Sequence, residues 1–204
     1  MPFITVVKVR QTEPSTVKIV ENKPENFSTI MRITVICATH RPKNQTTAVV
    51  QLYAKLLKEA GLEVSLLSMQ ELPGDFLVSD TFGNRTDVTD ALLAEKIRPV
   101  KKLIIISPEY NGSYPGIFKA FLDGVEPTIW RGKKVALVGV AAGRAGNLRG
   151  MDHLTGVLHY LKMEVFSQKI PISQLNNLLN EESTISDVDT EAVLREQLEG
   201  FLKF

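Results

Sequence analysis

LIIISPEYNGSYPGIFKAFLD, Leu103 to Asp123, sets out a strand, a tight loop and a helix in succession. Leu103-Ile104-Ile105-Ile106 is apolar without alternation, as expected of a strand buried on both faces. Pro108 stiffens its exit, and Asn111-Gly112 is a tight-turn pair. Pro115 is tolerated in the first turn of a helix, and Phe118, Phe121 and Leu122 carry the helical period onward. A buried strand running through a polar loop into a helix is half of a βαβ unit.

The rest of the chain repeats that half-unit. Arg32–Ala38 (RITVICA) predicts a first strand, followed by the polar loop THRPKNQTT. Val49, Leu52, Tyr53, Leu56, Leu57 and Ala60 then recur at helical spacing up to a stop at Gly61. Leu62–Ser68 alternates as a second strand, and 69–86 reads as a long loop. Asp87 caps a helix carrying Leu92, Leu93 and Ile97 that ends before Pro99. Lys134–Val140 is a fourth strand, Leu148 to Leu161 a fourth helix, Glu164–Ile170 a fifth strand, and Leu194 to Leu202 a closing helix. Alternating strands and helices of this kind predict an α/β fold in three layers, a parallel sheet with helices on both faces. Ligands of such sheets bind outside the carboxyl ends of the strands, which directs attention to the loops 39–47, 108–114 and 141–147.

Composition narrows the function classes. Of 204 residues 44% are hydrophobic, enough for a substantial core, and the formal net charge is +1, too small for a global field that would draw nucleic acid. The lone cysteine, Cys37, lies within the first strand and excludes a disulfide framework; it reads as a small buried hydrophobe. No apolar run approaches the ~20 residues of a membrane helix, and the amino-terminal residues lack the organisation of a signal peptide, so a cytoplasmic protein is expected. His40, His153 and His159 have no cysteine or carboxylate cluster beside them, so no metal site is expected. Residues 1–30 stand outside the alternation, as a loose extension or a short hairpin of VVKVR and TVKIV around TEPS, leaving 31–204 as one domain.

Each loop has its own chemistry. The first leaves a buried strand and enters a helix, whose amino terminus favours a phosphate. Thr39, Asn44, Gln45, Thr46 and Thr47 supply small polar groups, and Arg41 supplies a permanent charge suited to phosphate oxygens. It has neither the Gly-Lys-Ser/Thr ending of a P-loop nor Gly-x-Gly-x-x-Gly, so nucleoside triphosphate and ordinary dinucleotide binding are disfavoured. In the second, main-chain groups of the Asn111-Gly112 turn can meet the polar edge of a flat heterocycle, with Tyr110 beside the ring and Glu109 as a positional marker. In the third, Gly143 and Gly146 allow close backbone approach, and Arg144 can stabilise negative charge on a bound ring.

Taken together, Met31 to Phe204 resembles the NAD(P)H-dependent FMN reductase family, which has a flavodoxin-like fold. Ser107-Pro-Glu-Tyr-Asn-Gly-Ser-Tyr-Pro-Gly-Ile-Phe-Lys-Ala-Phe-Leu-Asp123 is similar to the family's Pro-Glu-Tyr-Asn-Gly-Ser loop, its Pro-Gly and its Lys-x-x-Asp helix. Thr39-His40-Arg41-Pro42 resembles the phosphate loop, and Gly143-Arg144-Ala145-Gly146 the third flavin loop. Ala38 stands where the family often has Gly, and Asn44 and Gln45 near where Ser and Asn are common. The resemblance implies a five-stranded sheet of order 2-1-3-4-5. It also implies that Thr39, Arg41, Asn44, Gln45 and Thr46 hold the FMN phosphate, that Pro108, Glu109, Tyr110, Asn111, Gly112 and Ser113 wrap the isoalloxazine ring, and that Gly143 and Arg144 flank its pyrimidine side. The implied reaction passes a hydride from NADPH or NADH through FMN to a small-molecule acceptor such as flavin, quinone or azo compound, with no obligatory protein acid or base. A homodimer or homotetramer is the implied assembly. The alternatives are a flavodoxin-like single-electron carrier, against which Arg41 and the near-zero net charge speak, and a non-catalytic FMN-binding protein.

Overall fold

The computed structural model describes residues 31–81 and 85–204; the expectation for 1–30 lies outside them. Five strands run parallel in the order β2-β1-β3-β4-β5: β1 (Arg32–Cys37), β2 (Glu63–Ser68), β3 (Lys102–Pro108), β4 (Lys134–Val140) and β5 (Glu164–Val165). A sixth, β6 (Ile170–Ile172), also pairs with β4. The central strands sort their side chains by alternation. Leu103 and Ile105 of β3 face one core, with Phe118, Phe121, Trp130, Met151 and Leu154. Ile104 and Ile106 face the other, with Val49, Tyr53, Leu57, Leu194 and Phe201. A strand so placed needs an apolar residue at every position, and this is why β3 reads as an unbroken hydrophobic run.

Two helices, α1 (Thr46–Glu59) and α7 (Val188–Lys203), cover the second face. The first face takes α2 (Phe76–Ser79), α3 (Asp87–Leu92), α4 (Gly116–Gly124), α5 (Pro127–Trp130) and α6 (Leu148–Tyr160). After β2 the chain crosses β1 to form β3, so α1 and α3 lie on opposite faces. The loops leaving β1 and β3 part there, and that is where a cleft opens in such sheets.

Several local features differ from the sequence expectation. The loop 69–86 contains a 3-10 turn (Met69–Glu71) closed by a capping box between Ser68 and Glu71, and then α2, whose Phe76 is buried. Helix α3 begins at Asp87 with Thr86 as its cap, and continues through a π turn, Leu93–Ile97. Carbonyls at and just beyond the end of that turn are met from elsewhere: Thr34 Oγ1 donates to Lys96, and Lys133 Nζ donates to Ile97 and Val100 at 2.8 and 2.5 Å. Pro115 sits just before α4 as its cap rather than within the first turn.

The fifth strand divides. Val135 pairs with Val165 and Val138 with Ile170, so residues 166–169 bulge opposite 136–137. The Phe166 N–H makes the last ladder bond before the bulge, to the Val135 carbonyl at 2.8 Å, and its ring packs against Phe201 and Phe204, with centroids 5.9 and 5.4 Å away. Buried Gln197 takes over the pairing there, its amide donating to the carbonyls of Leu137 (3.0 Å) and Gln168 (2.7 Å).

Candidate functional site

Loops from three strands meet at the carboxyl end of the sheet around a cleft of about 470 Å³. Its walls are Arg41 to Thr46 after β1, Pro108 to Tyr110 after β3, and Val140 to Ala142 after β4. Leu175 and Asn176 close the remaining side.

The first loop is shaped by Asn44. Its Oδ1 accepts from the Thr47 N–H and hydroxyl, both at 3.1 Å, and its Nδ2 donates to the Arg41 carbonyl at 2.9 Å. Asn44 thus caps α1 from one residue before the formal cap, Gln45. Lys43 is held in the left-handed region, at φ 52°. With the turn folded this way, no described residue accepts from the main-chain N–H groups of 43–46. The first turn of α1 carries no acidic residue, and neither Arg41 nor Lys43 joins an ion pair among the described residues. Unpaired amides, the positive end of a helix dipole and two free cations make an anion-binding corner.

The second loop is a two-residue hairpin. Tyr110 and Ser113 exchange main-chain hydrogen bonds at 2.8 and 3.1 Å, and Asn111 and Gly112 have φ of 53° and 77°. Two positive φ values make a type I′ turn, the geometry that Asn-Gly favours. The Glu109 N–H donates to Val140 at 2.8 Å, extending the β3–β4 ladder beyond its last strand residue. Ser113 Oγ lies 3.0 Å from His153 Nδ1, tying the hairpin to α6.

One contact joins the first two loops. Thr39 is fully buried, and its hydroxyl lies 2.7 Å from the Tyr110 hydroxyl while accepting from the Arg41 N–H at 3.1 Å. Cys37, just below, is buried, and burial pushes its thiol up from the usual range.

The third loop is the most tightly packed. A Cβ on Gly139 would fall 2.2 Å from the Gly146 carbonyl oxygen, and one on Gly146 would fall 2.6 Å from the Pro171 side chain. Asn147, in the left-handed region at φ 63°, is buried and donates to the Ser107 carbonyl at 2.9 Å, locking the start of α6 onto β3. The Gln174 N–H donates to Gly143 and the Leu175 N–H to Ala141, so the segment after β6 braces the loop. Gly143 is different: its φ is not positive and nothing lies within 4 Å of a built Cβ.

The residues singled out from the sequence therefore divide. Arg41, Asn44, Gln45, Thr46, Pro108, Glu109 and Tyr110 line the cleft, and Thr39 lies beneath it. Asn111, Gly112, Ser113, Gly143 and Arg144 are placed on the flanking loops, outside the cleft lining. Lys43, within the first loop, was readable only once its turn placed it on the wall. Leu175 and Asn176 had no sequence signal, because the return of the chain through β6 brings them there. Among the described residues, no group of three or more His, Cys, Asp or Glu is arranged to hold a metal, and no helix is long and apolar enough to cross a membrane.

Residues 31–176 match the family model of NADPH-dependent FMN reductase. The chain belongs to this family. It is 35% identical over 78 residues to a 2-hydroxy-1,4-benzoquinone reductase of Burkholderia sp, a match covering 36% of this chain and 43% of the relative. It is 25% identical over 174 residues to an FMN-dependent NADPH-azoreductase of Staphylococcus aureus, covering 82% and 90%. The matched stretches span about half the length of three of the curated relatives, 43%, 60% and 49% of them. A flavoenzyme NAD(P)H:(acceptor) oxidoreductase from Paracoccus denitrificans shares the fold at a TM-score of 0.68 and 22% identity, covering 85% of this chain and 96% of that one.

FMN, with NADPH or NADH, is the cofactor set of the family, and the cleft fits it. The unpaired amides of 43–46 and the Arg41 guanidinium beside them suit a monoester phosphate. Open space around Gly112 and Gly143 leaves room for a ring to approach the backbone.

Proposed function

We propose that the protein is an NAD(P)H-dependent flavin oxidoreductase that holds FMN in the cleft outside β1, β3 and β4. The observation carrying this reading is that the anion-binding turn at α1 and the hairpin of Tyr110 share one cleft and are joined by the Thr39–Tyr110 hydrogen bond. FMN held there would supply the redox chemistry, hydride acceptance from a reduced nicotinamide and electron delivery to an acceptor. The chain binds and orients. The amides of 43–46, with Arg41 and the Thr46 and Gln45 side chains, receive the phosphate. Asn44 shapes that turn through its own hydrogen bonds, and Thr39 positions Tyr110. Pro108 to Ser113 form one side of the ring site, and Gly143 and Arg144 the pyrimidine side. No side chain is assigned a proton transfer.

The acceptor is a small molecule of the quinone, azo or free-flavin class, a reading supported by the names of the two relatives. A homodimer or homotetramer is supported by the exposed apolar side chains Leu77, Val78 and Tyr160. A reducing, cytoplasmic setting is supported by the single, buried, unpaired cysteine. The test is an anaerobic absorbance titration of FMN-reconstituted protein with NADPH and then NADH. Bleaching of the flavin band within seconds is expected. Flavin that is bound but bleached by neither nicotinamide would replace this reading with an electron carrier or a non-catalytic binder.

A further inference from the structure

Behind the phosphate turn lies a second groove, of about 610 Å³. It shares Lys43, Asn44 and Gln45 with the flavin cleft and runs from them along three turns of α1 to Lys55. Its opposite wall is the segment 179–185, which is folded in advance of any ligand. Leu179 and Ile185 form an antiparallel bridge. Asn180 Oδ1 closes the loop between them by accepting from the Glu182 N–H (3.1 Å), the Thr184 N–H (2.9 Å) and the Thr184 hydroxyl (3.1 Å).

The lining has two characters. Leu52, Leu179 and Ile185 make an apolar slot. Gln51 and Ser183 stand on it with side chains that hydrogen-bond to no described residue, leaving a free carboxamide and a free hydroxyl at its rim. Charge is unevenly placed. At the far end Lys55 is engaged by Glu59 (3.8 Å) and Glu191 (3.4 Å), whereas Lys43, on the common wall, has no ion-pair partner among the described residues. A ligand that fits carries its negative charge at the common wall and a flat heterocycle with polar edges beyond it. The volume lies in the range of small-molecule sites.

We propose that this groove binds the adenosine diphosphate half of the reduced nicotinamide dinucleotide, with the adenine between Leu52 and the Leu179–Ile185 bridge and the pyrophosphate at Lys43. The inference rests on the function proposed above, because only a dinucleotide serving the neighbouring cleft needs both sites at once. Of the two lysines lining the groove, Lys43 is the one without an ion-pair partner among the described residues, and it sits where the pyrophosphate, common to NADPH and NADH, crosses. The groove therefore contributes affinity to both and does not by itself choose between them.

The probe is ADP-ribose, titrated calorimetrically into FMN-loaded protein. Gln51→Trp fills the slot from an exposed helical position, and Gln51→Phe does so with a smaller ring should the first variant fail to fold. Binding of ADP-ribose to the wild type, weakened about tenfold or more by either variant, is the expected result, with KM for NADPH and NADH rising by similar factors. Three outcomes would overturn the proposal: no binding of ADP-ribose to the wild type, binding that both variants leave unchanged, or ADP-ribose and FMN displacing one another from a single site. FMN uptake is followed in the same samples. Its failure strikes the proposed function, whereas normal FMN uptake with any of the three outcomes strikes the groove alone.

Discussion

Thr39→Val isolates the contact on which the proposed site depends. Valine keeps the shape of threonine at a position with no solvent exposure but removes the hydroxyl that bonds Tyr110 at 2.7 Å and Arg41 N–H at 3.1 Å. Two hydrogen bonds at about 1 kcal/mol each give a loss of ~2 kcal/mol, nearer the lower end where cleft water can reach the freed Tyr110 hydroxyl. If FMN must re-form the alignment of the two loops as it binds, up to that whole amount appears in its affinity, a Kd raised by as much as about 30-fold. Tyr110→Phe removes the same bond from the other side. The double variant is therefore expected to be no weaker than the worse single one by more than a few tenths of a kcal/mol, since both changes break one interaction. FMN fluorescence titration reads the affinity, and urea unfolding reads the stability. A Kd within about twofold of wild type, alongside a lowered urea midpoint, would refute the reasoning: the bond would then be a structural tie with no part in aligning the flavin site.

Other consequences follow from the glycines and the charges. Gly139→Ala sets a Cβ 2.2 Å from a main-chain carbonyl that cannot rotate away, so a loss of about 3 kcal/mol is expected in urea or thermal unfolding. Gly143→Ala meets nothing and needs no special φ, so stability should stay within about 0.5 kcal/mol while FMN affinity falls, because the methyl enters the space assigned to the ring. Arg85 grips Glu126 through two hydrogen bonds of 2.6 and 2.5 Å, which hold the Glu126 carboxyl below its ordinary range. A depressed folded pKa contributes stability above the unfolded value, about pH 4.3, and loses it as pH falls through the folded one. Glu126→Gln should therefore flatten the acid limb of a Tm–pH profile below about pH 5, and a limb as steep as wild type would count against the pair.

Much of this architecture was legible because its signals are local. Strands β1, β3 and β4 announce themselves through continuous apolar runs, a consequence of burial on two faces, and β4 was bounded as found, Lys134–Val140. The Asn111-Gly112 turn was readable for the same reason, since only residues that tolerate positive φ close a two-residue hairpin. Helices α2 and α5, four residues each, were not legible: one turn is too short to show a period, and each is held by a buried aromatic, Phe76 or Trp130. Nor was the bulge at 166–169, which exists because Phe166 finds Phe201 and Phe204 across the face and Gln197 replaces the missing ladder bonds.

The site divides along the same line. The sequence by itself directed attention to the loops 39–47, 108–114 and 141–147, because a loop running from a buried strand into the following helix lies at the carboxyl end of a parallel sheet. It also determined the kinds of group on offer, from the cations and amides near Arg41 to the hairpin at Tyr110. The tertiary structure alone decided which of those groups are free. It spends the Asn44 carboxamide on the turn and the Thr39 hydroxyl on Tyr110, leaves the amides of 43–46 unpaired, and brings Leu175 and Asn176 in from beyond β6. A hydrogen-bonding group has a fixed number of partners to give. Whether it gives them to the fold or to a ligand depends on what lies within about 3 Å of it, and residues far apart in sequence settle that.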